Sequence, residues 1–108
     1  MARLETIHTY IVLKAFNHAG ANDGSTKYLD FSALKGNIGE IHGEHRDIPP
    51  ITDVCLTRIL NELACGKMTE PDRHKPFGQQ PWRITEDGQD LMLMLDGFVR
   101  EDHPALVA

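Results

Sequence analysis

Residues 51–91 read ITDVCLTRILNELACGKMTEPDRHKPFGQQPWRITEDGQDL, and the organisation of the chain is decided here. Leu56, Ile59, Leu60, Leu63 and Ala64 recur at i, i+3, i+4, i+7 and i+8, the spacing of one helical stripe and the clearest periodicity in the sequence. Thr52 or Asp53 supplies the N-cap and Gly66 the stop, so a helix is expected over 52–65. Lys67, Met68 and Thr69 read as a short strand, and 70–81 as a polar loop broken by Pro71, Pro76, Gly78 and Pro81. Trp82, Arg83 and Ile84 read as the returning strand of a hairpin with a long tip. Thr85 then caps a last helix running to about Val99, with Glu86 and Asp87 at the positive end of its dipole.

Upstream, Leu4, Ile7 and Ile11 share a stripe that Tyr10, Leu13 and Phe16 broaden, which predicts a first helix over 4–16. A polar, glycine-bearing loop follows over 17–25, then a short extended piece over 27–29. Asp30 is a good N-cap for a second helix carrying Phe31, Leu34, Ile38 and Ile41, although Gly36 and Gly39 weaken it. Residues 43–50 form a charged loop closed by Pro49 and Pro50, which cannot continue a helix but can stand just ahead of one. The expected fold is mainly α with a small β-hairpin: a winged helix-turn-helix of about four helices and two to three short strands. One domain is expected over 1–100, with a C-terminal tail over 101–108.

The helix with Asn61, Glu62 and Leu63 near its end, Gly66, the basic hairpin and the exit Trp82-Arg83-Ile84-Thr85-Glu86-Asp87-Gly88 resemble the winged-helix regulators of the MarR and PadR type. In that family an aromatic-x-Leu/Ile-Thr-x-x-Gly segment leaves the wing. The resemblance covers about 40 residues, 51–91. Helices 1 and 2 match by order and length, and the loop before helix 3 is longer than the family's tight turn. The resemblance implies that exposed positions of helix 3 read base edges and that the wing contacts phosphate or the minor groove. Those roles fall on Thr57, Arg58 and Asn61 of the helix and on Lys67, Arg73, His74, Lys75 and Arg83 of the wing.

Charge agrees with such a division. The net charge is −5, from 11 Lys and Arg against 16 Asp and Glu, which argues against coating of nucleic acid or anionic membrane by the whole surface. Only 67–83 is net basic, with 4 positive and 2 negative side chains, whereas 84–108 carries 1 and 6. With the apolar stripe of helix 3 turned inward, Thr57, Arg58 and Asn61 lie on adjacent turns of the other face, where a guanidinium suits guanine and an amide adenine. A plain solvated face is the alternative reading of the same three residues.

Helix 4 carries Leu91, Met92, Leu93, Met94, Leu95, Phe98 and Val99, more apolar circumference than one small core buries. A homodimer through Leu91, Met92, Leu95, Phe98 and Val99 is therefore expected, and it would set two recognition helices about one DNA turn apart. Any effector would bind between helices 1 and 4 or at that interface.

At 108 residues and 12.1 kDa, 41% hydrophobic and 25% charged, the chain fits one soluble domain that folds without a disulfide framework or metal. Cys55 and Cys65 lie about 15 Å apart on one helix, too far to bridge, which fits a reducing compartment. The longest apolar run, Leu91 to Leu95, is far short of a membrane span, and no secretory leader is visible, so a cytoplasmic location is expected.

His42 and His45, with Glu40 and Glu44, lack the ligand count of a zinc site and read as surface histidines. His8, His18 and His103 are scattered, and residues 22–25 read as a turn. No nucleotide-binding motif or catalytic order is found, so no cofactor, metal or enzymatic activity is expected. The sequence points to a DNA-binding transcriptional regulator, a repressor, acting on duplex DNA. The competing reading is a winged-helix module for protein recognition, an adaptor or phage-borne inhibitor, favoured by the acidic final quarter.

Overall fold

The computed structural model describes residues 3–18, 28–43, 45, 47–76 and 80–107. Most of the loop expected over 17–25, Lys27 of the extended piece and Gly78 of the hairpin tip lie outside them. The chain runs α1 (Leu4–His18), α2 (Phe31–His42), α3 (Asp53–Cys65), β1 (Thr69–Pro71), β2 (Trp82–Ile84), α4 (Glu86–Asp102) and α5 (Pro104–Val107). It is mainly helical with one antiparallel hairpin, the expected fold class. Among the described residues no helix is long and apolar enough to cross a membrane.

The caps form where short polar side chains precede the apolar stripes. Asp30 accepts a hydrogen bond from the Ala33 N–H, Thr52 from that of Cys55, and Thr85 from that of Gly88. Each satisfies one of the unpaired donors of a first helical turn. Of the two N-cap candidates for α3, Thr52 is the cap and Asp53 is the first helical residue.

The centre of the core is α1. Ile7, His8, Tyr10, Ile11, Val12, Leu13, Ala15 and Phe16 are all buried, so this helix is covered nearly all round, by α2, α3, α4 and β2. The sequence reading had assigned the surplus of apolar circumference to helix 4. That helix does keep an uncovered side: only Gly88 and Val99 of α4 are buried, Leu91, Met92 and Leu95 are half-buried against the core, and Leu93, Met94 and Phe98 are exposed. Much of the tail expected over 101–108 is helical: α4 continues to Asp102, and α5 turns back so that Leu106 is buried. Lys14 donates to the Leu106 carbonyl, and His103 Nδ1 lies 3.2 Å from Asp47 Oδ2.

The hairpin begins two residues later than the sequence predicts. The Met68 N–H bonds the Leu63 carbonyl at 2.8 Å and the Lys67 N–H bonds that of Ala64 at 3.0 Å, so these residues close the end of α3. This is the pair of bonds of a Schellman cap, and its left-handed position falls on Lys67, with φ 62°, rather than on Gly66. The ladder therefore starts at Thr69, which pairs Ile84, followed by Glu70 with Arg83 and Pro71 with Trp82. Leu29 exchanges both backbone bonds with Trp82, at 2.7 and 2.8 Å, and adds a one-residue third strand on the other side of β2.

The long connection between α2 and α3 is tied down rather than loose. Ile48 is buried, His42 Nε2 donates to the Ile48 carbonyl at 2.6 Å, and His8 Nε2 donates to that of Pro49 at 2.8 Å. His42, the last residue of α2, and His45 just beyond it stand near a helix end as expected, but half-buried rather than on the surface. Thr85 anchors the other junction: its N–H bonds the Met68 carbonyl at 3.0 Å, and its hydroxyl reaches the Lys67 and Met68 carbonyls at 2.7 and 2.9 Å. The start of α4 is thereby fixed to the base of the wing.

Candidate nucleic-acid interface

Helix α3 has two chemically distinct faces. Leu56, Ile59, Leu60 and Leu63 are buried, and the opposite side exposes Thr57, Arg58 and Asn61 together. The Thr57 hydroxyl donates to the Asp53 carbonyl at 2.9 Å, which leaves its oxygen as an outward acceptor. The Arg58 guanidinium lies along the helix between Cys55 Sγ at 3.7 Å and Glu62 Oε1 at 3.6 Å, and these two contacts, Cys55 first, raise its pKa above the ordinary value. An exposed pair of this kind is weak and yields to a competing phosphate or base edge.

The wing places Arg73, His74 and Lys75 side by side and exposed. Asp72 organises them: its carboxylate accepts the His74 N–H at 3.0 Å and its carbonyl the Lys75 N–H at 3.2 Å, so the chain turns sharply there. Lys67, at the base of the wing, is exposed as well.

Arg83 stands apart from this group. It faces Glu70 across the ladder, with Nε and Nη2 both bonded to the same carboxylate oxygen at 2.9 and 2.6 Å, and its guanidinium carbon lies 5.7 Å from the centre of the Tyr28 ring. The Glu70 contact raises its pKa. The sequence reading grouped Arg83 with the wing's contact residues; the structure commits its charge to the hairpin itself.

Of the residues expected at a dimer interface, Val99 must be withdrawn, because it is fully buried in this chain's own core and no partner can reach it. Phe98 is exposed, at 56%, beside Leu93 at 62% and Met94 at 59%. The uncovered apolar face of α4 is thus Leu93, Met94 and Phe98, with Leu91, Met92 and Leu95 turned toward the core.

No group of three or more His, Cys, Asp or Glu able to hold a metal occurs among the described residues. A cleft of about 120 Å³ between α2 and the start of α3 has its polar groups engaged, Lys35 with Asp53 at 3.0 Å and His42 with the Ile48 carbonyl. It lies neither between helices 1 and 4 nor on the uncovered side of α4, the two places the sequence reading left for any effector.

One cluster was missed from sequence. His8 was read as isolated, yet its Nδ1 lies 3.8 Å from Cys55 Sγ. The available signal was its register: three residues before Ile11 and four before Val12, His8 sits on the buried side of α1. Compared with known proteins, the chain matches no family model, no curated protein and no solved structure.

Proposed function

We propose that the protein is a duplex DNA-binding transcriptional regulator of the winged helix-turn-helix type, with α3 in the major groove and the wing on the adjacent backbone or minor groove. The observation that carries this reading is the joint exposure of Thr57, Arg58 and Asn61 on a helix whose other face is fully buried. A helix about 10 Å across fits the major groove, and hydroxyl, guanidinium and amide are the groups that read base edges there. Lys67, Arg73, His74 and Lys75 supply the phosphate contacts. Arg83 is left out of the contact set because Glu70 neutralises it.

A second copy covers Leu93, Met94 and Phe98 in this reading, and the twofold dimer presents two α3 helices to successive half-sites. With about four cationic contacts per protomer, log affinity falls with log salt by roughly 3–4 per protomer, twice that per dimer.

Fluorescence anisotropy of labelled duplexes, including DNA upstream of the protein's own gene, tests the reading at low and physiological salt. The comparison is a chain with Arg58, Asn61, Arg73 and Lys75 all changed to Ala. Salt-sensitive binding by the wild type and none by the variant is expected. Absence of binding by the wild type even at low salt refutes it and favours recognition of another protein, for which the acidic final quarter and the exposed α4 residues would serve.

A further inference from the structure

Cys55 is surrounded by more chemistry than a helix-surface thiol needs. His8 is 7% exposed, and its Nε2 lies 2.8 Å from the Pro49 carbonyl oxygen. A carbonyl only accepts, so Nε2 carries the proton, and in the neutral ring Nδ1 holds the lone pair. That nitrogen is aimed at Cys55 Sγ, 3.8 Å away, and the thiol donates to it. Nucleophile, base and a third group fixing the base's tautomer stand in line, which is the arrangement that activates a side-chain nucleophile. The base comes from α1, 47 residues away in sequence, and is shielded from water; Cys55, half-buried as a residue, stands in the first turn of α3.

On its other side the sulfur meets a cation. Arg58 Nη2 is 3.7 Å from Sγ, on a side chain that is itself exposed. Glu62, 3.6 Å from the guanidinium, and Glu5 of α1 temper that charge, and Lys35 paired with Asp53 completes the charged groups about the start of the helix.

We propose that Cys55 is a thiol–disulfide exchange site for small disulfides that carry a carboxylate. The Cys55 S–H proton passes to His8 Nδ1 while the sulfur attacks one sulfur of the disulfide. A bond from Cys55 to that sulfur forms, the original S–S bond breaks, and its electron pair leaves with the displaced thiolate, which takes the proton back from the imidazolium. The products are a mixed disulfide on Cys55 and one small thiol, so the disulfide is itself the oxidant. Arg58 receives the carboxylate and aligns the reagent. Cys65, about 15 Å along the same helix, cannot displace the adduct within the chain, so the adduct persists until an external thiol removes it. None of this depends on what α3 contacts.

Two single-thiol chains provide the test: Cys65→Ser leaves only Cys55, and Cys55→Ser only the exposed Cys65. Each is mixed with excess dithiobis(nitrobenzoate), a dianionic disulfide, and with neutral dithiodipyridine, and release of the coloured thiol is followed. Cys55 is expected to outrun Cys65 by about tenfold or more with the dianionic reagent, although it is the less exposed thiol. In the Cys65→Ser chain, Arg58→Gln slows only the dianionic reagent, whereas His8→Gln slows both alike, its fold checked by circular dichroism. Cys55 reacting no faster than Cys65 with the dianionic reagent overturns the proposal, whatever His8→Gln does to folding. Equal slowing of both reagents by Arg58→Gln overturns it as well.

Discussion

Gly88 is the position where the smallest change meets the firmest obstacle. A Cβ there would lie 2.1 Å from the Met68 carbonyl oxygen, 3.0 Å from the Met68 carbonyl carbon and 2.8 Å from Ile84 Cγ1. Normal contact requires the first turn of α4 and the base of the wing to separate by about 1 Å or more. The carbonyl cannot simply swing away, because it accepts the Thr85 N–H at 3.0 Å and shares the one Thr85 hydroxyl proton, at 2.9 Å, with the Lys67 carbonyl at 2.7 Å. Overpacking of this kind costs about 1–3 kcal/mol, and weakening the Thr85 bonds adds about 0.5–1.5 kcal/mol each. The helical preference of Ala over Gly returns only about 0.5–1 kcal/mol. Gly88→Ala is therefore expected to lose about 2–3 kcal/mol, a fall in Tm of roughly 10–15 °C. Gly36 and Gly39 of α2 are the internal controls, since a Cβ at either has no neighbour within 4 Å. Gly36→Ala and Gly39→Ala should each gain about 0.5–1 kcal/mol. Thermal melts followed by circular dichroism read all three, and a Gly88→Ala chain that melts at or above the wild type refutes the reasoning.

Three further outcomes are expected. Lys67→Gly, which relieves the left-handed backbone, should raise stability by about 0.5–1 kcal/mol in urea unfolding and, under the DNA reading, lower the salt slope by about one per protomer. Under the dimer reading Phe98→Asp should leave a monomer in sedimentation equilibrium with little change in chain stability, whereas Val99→Ala should cost about 2 kcal/mol by opening a cavity in the core. In a Tyr28→Phe chain Tyr10 is the remaining tyrosine, and burial, with Asp96 accepting from its hydroxyl, raises its pKa above the ordinary value of 10.0. The folded chain then keeps a proton that the unfolded chain releases, so this stabilisation is present below pH 10 and lost as pH rises further. Burial of Lys14 acts the other way, lowering its pKa, so its contribution grows as pH rises toward 10.5. The tyrosinate absorbance should appear together with unfolding, and its appearance in a chain with native circular dichroism would count against this account.

What could be read in the sequence was what neighbours in the chain decide. The caps at Asp30 and Thr85 depend on residues three positions away, and the α3 stripe on residues within one helix, so both were visible. The start of β1 was not, because it depends on how α3 ends, and the left-handed residue is a lysine one place after the glycine that marks the stop. That shift of two residues has a chemical consequence. Only with Thr69 opposite Ile84 does Glu70 face Arg83, so the ion pair between them was hidden with the register. That α1 is the helix covered nearly all round was hidden for a similar reason: α1 and α4 are both rich in apolar residues, and which is covered depends on where α2, α3 and the hairpin pack. His8 and Cys55 lie on different helices, and no local pattern joins them.

Lys67 carries an argument about the surface it belongs to. Among the described residues it is the one non-glycine with positive φ, and it stands where a helix of this ending most often has glycine. The strain is of the order of 1 kcal/mol or more, and an exposed lysine makes little packing that could offset it. Gly66 shows that glycine is present one residue earlier, in a conformation that does not need it, with φ −89°. A cost of this size at an exposed residue is explained if the side chain does something that glycine cannot. Lys67 is exposed at the junction of α3 and the hairpin, between Arg58 and Asn61 of the helix and Arg73 and Lys75 of the hairpin in the order of the chain. A phosphate lying between major-groove contacts from α3 and backbone contacts from Arg73 and Lys75 would meet it there. On this view the strained residue and the basic wing have one cause, and stability and affinity should move in opposite directions when Lys67 becomes glycine.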